Sequence, residues 1–415
     1  MNSVWFLTYC RILMMNDFSR RDFIKTASKI VSIAGASSAF YIPELLSAEQ
    51  QTLRIGYLPI IDSAPLLIAY ANGYFKDEGL KLARPRMIRS WSTLSESFMA
   101  NKFNLVHLLF PIPLWMRYQN RIPVKILAWD HTNGSAITVR ADSGIYGFSD
   151  LGGKQIAVPY WYSMHNMIIQ MGLRKAGLTP VIQPQNRKLK KKQVNLFVLS
   201  PPQMAPALLG GKIDGYIVAE PFNALAELKI KARIMRFVGD IWKNHPCCVV
   251  VMKEALVKKS PVFTSKVVHA VARAQLWINH NREKTAKILS RDETRLLPQS
   301  YQVLNHALNV YSTDRYGNDS PIHAIRHPEW KINRVDFQPY PYPSATHVIL
   351  NEMKKTLVEG NSQFLNQLDP TFIEKDLIEK RFVKEAINNL GGMSKFPHMD
   401  LTSPWEREEI IDFAI

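Results

Sequence analysis

Two short segments hold the residues best suited to chemistry. Ser163 and His165 stand at the start of a predicted helix, and residues 245–248 read His-Pro-Cys-Cys. Nucleophilic catalysis needs a nucleophile beside a base, but these two residues share one helix and no Gly-x-Ser-x-Gly motif occurs. A metal site at 245–248 needs a second ligand cluster at suitable spacing, and the sequence shows none. We therefore expect no enzymatic activity, no metal site and no cofactor.

The cysteines exclude a disulfide framework. The chain has three, Cys10, Cys247 and Cys248, and the last two are neighbours that bridge only through a strained ring. Cys248 lies in a predicted strand, where a free thiol either packs as a small hydrophobe or contacts a ligand.

Anion binding is the chemistry that the remaining polar positions favour. His165 lies in the first turn of its helix, where free N–H groups and the positive end of the dipole attract an anion. Trp91 precedes another predicted helix and is either a ligand contact or a core aromatic. Ser135 is short, so it reaches only a bulky or water-bridged ligand. Glu220 ends a predicted strand, and it either anchors a hinge or contacts the ligand, although a carboxylate repels an anion.

Composition indicates a globular protein with a basic surface. The 415 residues are 47% hydrophobic and 21% charged, and Lys+Arg 52 against Asp+Glu 35 gives a net charge of +17. A basic balance suits nucleic acids, anionic membranes or small anions alike. The basic run 187–192 is predicted to be a solvated loop. No stretch reaches the roughly 18 apolar residues that a permanent membrane span needs.

The elements that position these residues alternate between strands and helices. Strands are predicted at 53–58, 80–82, 105–109 and 124–128, with a helix at 64–71 and another that starts with a Thr93 to Glu96 capping box. This alternation predicts a parallel or mixed sheet covered by helices.

A second unit of the same kind follows. Strands are predicted at 136–140, 155–159, 195–199 and 213–219, with helices that begin near Ser163 and at Pro201. A further strand is predicted at 248–252, and the chain is mainly helical after residue 265. Extended crossings near Ser135 and His245 predict two lobes, residues 52–134 plus 246–415 and residues 135–245, with a cleft between them. Ligands in such sheets bind beyond the carboxyl ends of the strands.

The N-terminus has the pattern of an export signal. Arg20 and Arg21 precede an uncharged stretch of small residues at 30–43, which is typical of a twin-arginine (Tat) signal and is too short to anchor in a bilayer. We predict a signal region at 1–48. The alternative is a basic helix of the folded domain. Export argues against nucleic acid as the partner of the positive charge.

Several motifs resemble those of a known family. Ala69-x3-Gly73-Tyr74-Phe75-x2-Glu78-Gly79-Leu80 resembles the opening signature of solute-binding proteins of ABC importers for nitrate, sulfonate, taurine and thiamin precursors. More specific segments resemble the nitrate/bicarbonate branch; they are 133–138 (Asn-Gly-Ser-Ala-Ile-Thr), 201–204 (Pro-Pro-Gln-Met), 220–223 (Glu-Pro-Phe-Asn) and 241–246 (Ile-Trp-Lys-Asn-His-Pro). The resemblance implies an α/β, two-lobed periplasmic binding protein (type II), with a mixed sheet flanked by helices in each lobe and two crossover hinge strands.

The resemblance also implies which residues hold the anion. Trp91 matches a Trp before a helix of the first lobe, His165 a His that opens a helix of the second, and Pro201 the Pro-Pro-Gln loop. Two positions depart from the pattern. Ser135 stands where the family has Gln, and Cys248 where a charged residue follows His-Pro, so a larger oxyanion becomes as credible as nitrate.

The function implied is transport. The chain would bind a small anionic solute, nitrate-like, in the cleft and deliver it to a membrane ABC permease with its ATPase. It would be periplasmic, exported by the Tat translocase and without a nucleic acid partner. Two alternatives stay open: a binder of an organosulfonate, taurine or a thiamin-pyrimidine precursor, and a pyrimidine-synthase-like enzyme on the same fold.

Overall fold

Two mixed β-sheets with helices packed on them make up the part of the chain that a computed structural model describes, residues 51–399 and 401–415. The predicted signal region 1–48, with Arg20 and Arg21, lies outside the described residues. Residues Gln50–Ile415 form one compact unit. Among the helices of the described ranges, none is both long and apolar enough to cross a membrane.

The strands, in chain order, are β1 (Ile55–Tyr57), β2 (Arg86–Met87), β3 (Leu105–Leu109), β4 (Val124–Trp129), β5 (Thr132–Asn133), β6 (Ser135–Val139), β7 (Gln155–Val158), β8 (Thr179–Val181), β9 (Gln193–Val198), β10 (Gly215–Ala219), β11 (Arg233–Phe237), β12 (Cys248–Lys253) and β13 (Val335–Asp336).

The α-helices are α1 (Ala64–Ala71), α2 (Tyr74–Asp77), α3 (Trp91–Met99), α4 (Pro111–Leu114), α5 (Met164–Lys175), α6 (Pro201–Leu209), α7 (Phe222–Ile230), α8 (Glu254–Lys259), α9 (Pro261–His280), α10 (Arg282–Leu289), α11 (Tyr301–Asn309), α12 (Thr313–Tyr316), α13 (Pro343–Met353), α14 (Pro370–Leu377) and α15 (Arg381–Asn389). Short 3₁₀ turns add Ile61–Ser63, Phe148–Leu151, Val238–Asp240, Pro328–Trp330, Gln363–Gln367 and Met393–Lys395, and a π-helical turn adds Trp115–Gln119.

The first sheet has five strands in the order β2-β1-β3-β12-β4. Strand β1 runs parallel to β2 and β3, whereas β12 is antiparallel to β3 and β4. Every residue of β3 is buried, as are the first five of β12. Both strands are mainly apolar, with His107 as the polar exception in β3, because neither of their faces meets solvent. The predicted strands at 53–58, 105–109, 124–128 and 248–252 are therefore confirmed within a few residues.

The second sheet has six strands in the order β11-β6-β10-β7-β9-β8. Strand β6 is antiparallel to β10 and β11, and the other pairs are parallel. All its strands fall between Ser135 and Phe237, after which the chain returns to the first sheet at Cys248. The mixed α/β class is confirmed, and the lobe boundaries at 134/135 and 245/246 stay predictions.

Two local predictions were wrong. Residues 80–82 form no strand; Leu82 makes only an isolated bridge to Leu53, and the edge strand is the partly exposed β2 instead. The Thr93 to Glu96 capping box was also misplaced. Ser90 caps α3, since its Oγ accepts a hydrogen bond from the Thr93 N–H at 3.3 Å. Trp91 is therefore the first residue of the helix.

The start of α5 agrees with the prediction. Ser163 is the N-cap, and its Oγ accepts from the Asn166 N–H at 2.9 Å. His165 is the second residue of the helix and lies in its first turn, as expected.

A short antiparallel ribbon joins the first crossing to the C-terminal third of the chain. It pairs β5 with β13, so residues after 330 fold back over the connection between the sheets. The basic run 187–192 is exposed except at Leu189, which agrees with the solvated loop that was predicted.

Candidate functional site

A group of nine polar residues lies buried where the two sheets approach each other, each 2% exposed or less. We call it the buried polar cluster; its members are Asp62, His107, Asp130, His131, Ser135, His165, His245, Cys247 and Cys248.

One part of the cluster comes from the carboxyl edge of the first sheet. Asp62 lies in the 3₁₀ turn after β1, His107 within β3, and His131 two residues after β4. Strand β12 is antiparallel to its neighbours, so its first residue, Cys248, lies at the same edge and pairs with Leu109. The strand ends thus bring together residues that are far apart in the sequence.

The other part comes from the second sheet. Ser135 is the first residue of β6, and His165 lies at the start of α5. The Ser135 hydroxyl is 2.9 Å from His165 Nε2. Cys247 Sγ lies 3.9 Å from that hydroxyl and 4.0 Å from the same imidazole nitrogen, which joins the two parts.

His131 is the centre of the part from the first sheet. Its Nε2 lies 2.8 Å from Asp62 Oδ2 and 3.3 Å from the backbone N–H of Cys248. The Cys248 thiol donates to the same Asp62 oxygen at 3.2 Å. Gly134 packs against the His131 imidazole. Its φ is +75°, and a Cβ there would lie 3.1 Å from His131 Nδ1. A residue with a side chain would displace the ring.

Trp91 reaches the cluster through an aromatic contact. Its ring meets His107 edge-on, with 5.5 Å between the centroids. The Leu58 N–H donates to His107 Nε2 at 2.9 Å, so the proton of the neutral ring is on Nδ1. That nitrogen is 3.6 Å from Asp130 Oδ2, which is too long for a hydrogen bond.

The cluster leaves an unusual number of buried polar atoms unsatisfied. Within the described residues, no hydrogen-bond partner is found for Asp62 Oδ1, His107 Nδ1, Asp130 Oδ1, Asp130 Oδ2, His131 Nδ1, His165 Nδ1, His245 Nδ1 and His245 Nε2. More than nine in ten buried polar groups in native proteins are paired. These exceptions are concentrated at one place in the structure.

Burial shifts the pKa values of His107, His245 and Asp130. It lowers the pKa of both His107 and His245 to about 3, so both are neutral at pH 7. It also raises the pKa of Asp130 well above its usual range, against the opposing effect of His131. Desolvation thus keeps the two imidazoles neutral and favours the protonated form of Asp130.

The titrations of Asp62 and His131 are coupled, because each residue shifts the pKa of the other. Burial raises the pKa of Asp62, although His131 opposes this. Burial acts to lower the pKa of His131, but the Asp62 carboxylate outweighs it and raises that pKa well above its usual range. The pair therefore retains a proton at neutral pH.

The pKa values of the Cys247 and Cys248 thiols are shifted in opposite directions. Burial opposes ionisation of Cys247, yet the neighbouring Cys248 thiol and the His165 imidazole lower the pKa of its thiol well below the usual value. Burial, together with the neighbouring Cys247, raises the pKa of the Cys248 thiol. Cys247 is therefore the more acidic thiol of the pair.

Four of the residues expected from the sequence meet at this place. Ser135, His165 and Cys248 belong to the cluster, and Trp91 contacts it. Pro201 begins α6, where Ser200 and Gln203 hydrogen-bond each other, and none of the described contacts joins it to the cluster. The ligand role of each residue stays a prediction.

Glu220 uses its carboxylate elsewhere. Oε1 accepts from Arg334 Nε at 2.7 Å, and Oε2 accepts from the Ala224 N–H at 3.1 Å. Its backbone joins the turn after β1 to the first crossing, since Ile61 N–H donates to its carbonyl and its own N–H donates to the Gly134 carbonyl, both at 2.8 Å. This arrangement suits an anchor near the hinge.

Sequence reasoning missed four members of the cluster, namely Asp62, His107, Asp130 and His131, and it considered His245 and Cys247 only as part of a metal site that it rejected. Asp62 and His131 both follow first-sheet strands at the edge where ligands were expected, and that signal was available. The conclusion that residues 245–248 lack a second group of metal ligands needs correction. The structure supplies Asp62 and His131, and one ligand atom from each of Asp62, His131, Cys247 and Cys248 lies within 4.8 Å of the others.

Comparison with known proteins agrees with this architecture. The sequence profile of the NMT1-like family matches residues 47–290. The nitrate/nitrite binding protein NrtA of Nostoc sp. (strain PCC 7120) is 26% identical over 264 residues, which are 58% of this chain and 58% of that protein. The chain thus spans less than two thirds of that relative's length.

Solved structures share the fold. The periplasmic nitrate-binding protein NrtA from Synechocystis PCC 6803 superposes with a TM-score of 0.68 at 19% identity, over 84% of this chain and 91% of that one. The alkanesulfonate-binding protein SsuA from Xanthomonas axonopodis pv. citri, bound to MOPS, gives 0.52 at 18% identity over 63% and 84%. The predicted periplasmic-binding-protein fold is therefore confirmed.

Proposed function

The chain belongs to the NMT1-like family, and from this premise we propose that it is the solute-binding protein of an ABC importer and closes its lobes over a small oxyanion. The observation that carries the proposal is the meeting of Ser135 and His165 with Cys247 across the junction of the two sheets. A solute-binding cleft needs polar groups from both lobes to converge, because closure is driven by contacts that only the closed form makes.

The electrostatics of the junction suit an anion. His165 lies in the first turn of α5, where the helix presents free N–H groups. Burial raises the pKa of the nearby Asp130 well above its usual range, which reduces its repulsion of negative charge. The chain as a whole carries +17, which attracts anions over roughly a Debye length of 8 Å.

The residues of the buried polar cluster, Cys248 among them, bear on which anion is bound. The buried polar cluster contains no Lys or Arg, so the anion is held by neutral donors, helix ends and imidazoles. A nitrate-like oxyanion is the first candidate, because the relatives named above include nitrate-binding proteins. An organosulfonate is the second, since the fold also occurs in an alkanesulfonate-binding protein.

Partners and compartment complete the proposal. We assign the protein to the periplasm, with export through the Tat translocase directed by Arg20 and Arg21, and delivery of the solute to a membrane permease and its ATPase. The two lobes would be residues 52–134 plus 246–415 and residues 135–245, hinged at the two crossings.

A thermal-shift and calorimetry panel tests the proposal. Nitrate, bicarbonate, a small sulfonate, taurine and a thiamin-pyrimidine precursor are each added to the purified protein. The true ligand at 100 times its dissociation constant adds about 2.7 kcal/mol of stability. His165→Ala should abolish that gain, whereas the control His280→Ala, at an exposed position on α9, should keep it. If no anion stabilises the protein, anion binding is refuted.

A second candidate is an enzyme on the same fold, and one observation favours it. The pKa of the Cys247 thiol is lowered and its Sγ lies 4.0 Å from His165 Nε2, an arrangement typical of a nucleophilic cysteine. Such an enzyme would be inactivated by a thiol-alkylating reagent that reacts at Cys247 faster than at Cys248. A panel in which only the heterocyclic precursor binds and is consumed would favour this candidate over the transporter.

A further inference from the structure

We propose that Asp62, His131, Cys247 and Cys248 form a binding site for one divalent metal ion of the zinc class. The site goes beyond anion binding and would exist whether or not the protein carries an anion.

The geometry is the first support. The four ligand atoms lie within 4.8 Å of one another, and two separations are known closely: His131 Nε2 to Asp62 Oδ2 is 2.8 Å and Cys248 Sγ to that oxygen is 3.2 Å. Tetrahedral zinc with bonds of about 2.0–2.3 Å places its ligands roughly 3.3–3.8 Å apart. Side-chain adjustments of under an ångström therefore suffice to admit an ion.

The donor set is the second support. Two sulfurs, one imidazole nitrogen and one carboxylate oxygen make a mixed soft set. Thiolates select zinc and other late transition metals, whereas calcium and magnesium require oxygen ligands. The site therefore excludes the hard cations by its chemistry.

A shortage of protons is the third support. The single hydrogen of the Cys248 thiol points at Asp62 Oδ2, the same oxygen that His131 Nε2 approaches. His131 Nε2 faces the Cys248 N–H at 3.3 Å as well, and one nitrogen cannot both donate to Asp62 and accept from that N–H. A cation bound by Asp62 Oδ2 and His131 Nε2 would take the place of a proton between these two atoms, because each would offer a lone pair to the ion.

Complete burial points the same way. Asp62 and His131 are each 0% exposed, so water does not solvate the carboxyl group or the imidazole. Groups desolvated this far are stabilised by a bound ion or partner rather than by water.

The position of the site couples it to the lobes. All four ligands lie at the edge of the first sheet, and Ser135 and His165 of the second sheet cover Cys247. An ion would therefore enter while the lobes are apart and be held when they close.

Metal titration of the full chain tests the proposal. The reduced protein is treated with a chelator, dialysed and titrated with Co²⁺, which reports thiolate ligation by a charge-transfer absorption, and Zn²⁺ is then used to displace it. We expect one equivalent of Co²⁺ with the thiolate band, full displacement by Zn²⁺, and no comparable response to Ca²⁺.

Variants identify the ligands. Cys247→Ser, Cys248→Ser and Asp62→Asn should each weaken Zn²⁺ binding by at least the ~10–100-fold that loss of even an outer-shell contact costs. Cys10→Ser and His280→Ala are the matched controls and should bind as the parent chain does. Circular dichroism of each variant shows whether it has folded, and Asp62→Asn is the variant that best preserves shape.

Three results would overturn the site: Co²⁺ binding without a thiolate band, unchanged Zn²⁺ affinity in a folded Cys247→Ser variant, or a disulfide between Cys247 and Cys248 that resists reduction. The anion panel above is run on the chelated and the Zn²⁺-loaded protein. Anion binding in both with no metal bound refutes only the metal site, and metal binding with no anion bound refutes only the anion proposal.

Discussion

Arg334 and Glu220 form a buried ion pair, with Arg334 Nη2 2.6 Å from Glu220 Oε1 and both side chains 1% exposed. The same guanidinium group lies 2.9 Å from Glu227 Oε2 and donates to the Tyr316 hydroxyl. Glu220 follows β10 of the second sheet, and Arg334 immediately precedes β13 of the ribbon. The ion pair therefore connects the C-terminal third of the chain to the region beside the buried polar cluster.

Removing the cation should destabilise the fold strongly. Arg334→Ala leaves Glu220 and Glu227 buried without their partner, and breaking such a pair costs about 3–5 kcal/mol. Urea unfolding followed by circular dichroism measures the loss. Arg140→Ala breaks a solvent-exposed pair with Asp142 and should leave the midpoint nearly unchanged. Equal midpoints for the two variants would contradict the structural role of Arg334.

Stability should depend on pH through Glu227. Burial opposes ionisation of this carboxyl, but Arg334, with His306 and Tyr316 also hydrogen-bonded to it, lowers its pKa to about 2. The folded pKa is below the unfolded value of about 4.3, so this stabilisation is present above about pH 4.3 and is lost as the pH falls towards 2.

Comparison with a neutral variant isolates that dependence. The difference in unfolding free energy between the parent chain and Glu227→Gln should shrink as the pH is lowered from about 5 to about 2. Glu329→Gln, at an exposed position, serves as the control. A difference that stays constant over this range would mean that Glu227 is not ionised in the folded protein.

Packing on α5 allows a direct test of the core. A Cβ added at Gly172 would lie 2.0 Å from the Phe148 ring, so Gly172→Ala must displace that ring and should cost about 1–3 kcal/mol. At Gly210 the nearest atom to such a Cβ is 3.4 Å away, so Gly210→Ala should be neutral. Thermal melts of the two variants distinguish them, and a neutral Gly172→Ala would show that the helix and Phe148 are not in contact.

Export should depend on the paired arginines. If residues 1–48 are a Tat signal, the double change Arg20→Lys and Arg21→Lys should leave the protein in the cytoplasm, because that pathway reads the arginine pair. Fractionation and immunoblotting measure the distribution. Changing Arg11 to Lys, upstream of the pair, is the control and should not alter it. Normal export of the double variant would rule out the Tat assignment.

Local sequence patterns were enough to predict most of the helices and strands. The helix at 64–71 and the start of α5 at Ser163 carry their own capping and apolar signals, and both were predicted closely. The strand predicted at 80–82 failed because an edge strand is decided by pairing rather than by its own residues.

The site was predictable only in part. His165 was found by its position at a helix start, and Ser135 and Cys248 were found through the family resemblance, as positions that depart from its pattern. Asp62 and His131 carry only the weak signal that each follows a strand of the first sheet, and the pairing of β12 beside β3 and β4 brings them to the cysteines. Such long-range register cannot be read from local periodicity.

The place of β12 between β3 and β4 also bears on how the chain is made. During synthesis, β3 and β4 emerge well before Cys248–Lys253, with the whole second sheet translated in between. Until β12 arrives, two apolar strands lack the partner that separates them, and unpaired strand edges invite association with other chains. The nascent first sheet is therefore the stage at which a chaperone is needed, and a ribosomal pause placed before residue 248 should increase aggregation more than one placed after residue 253.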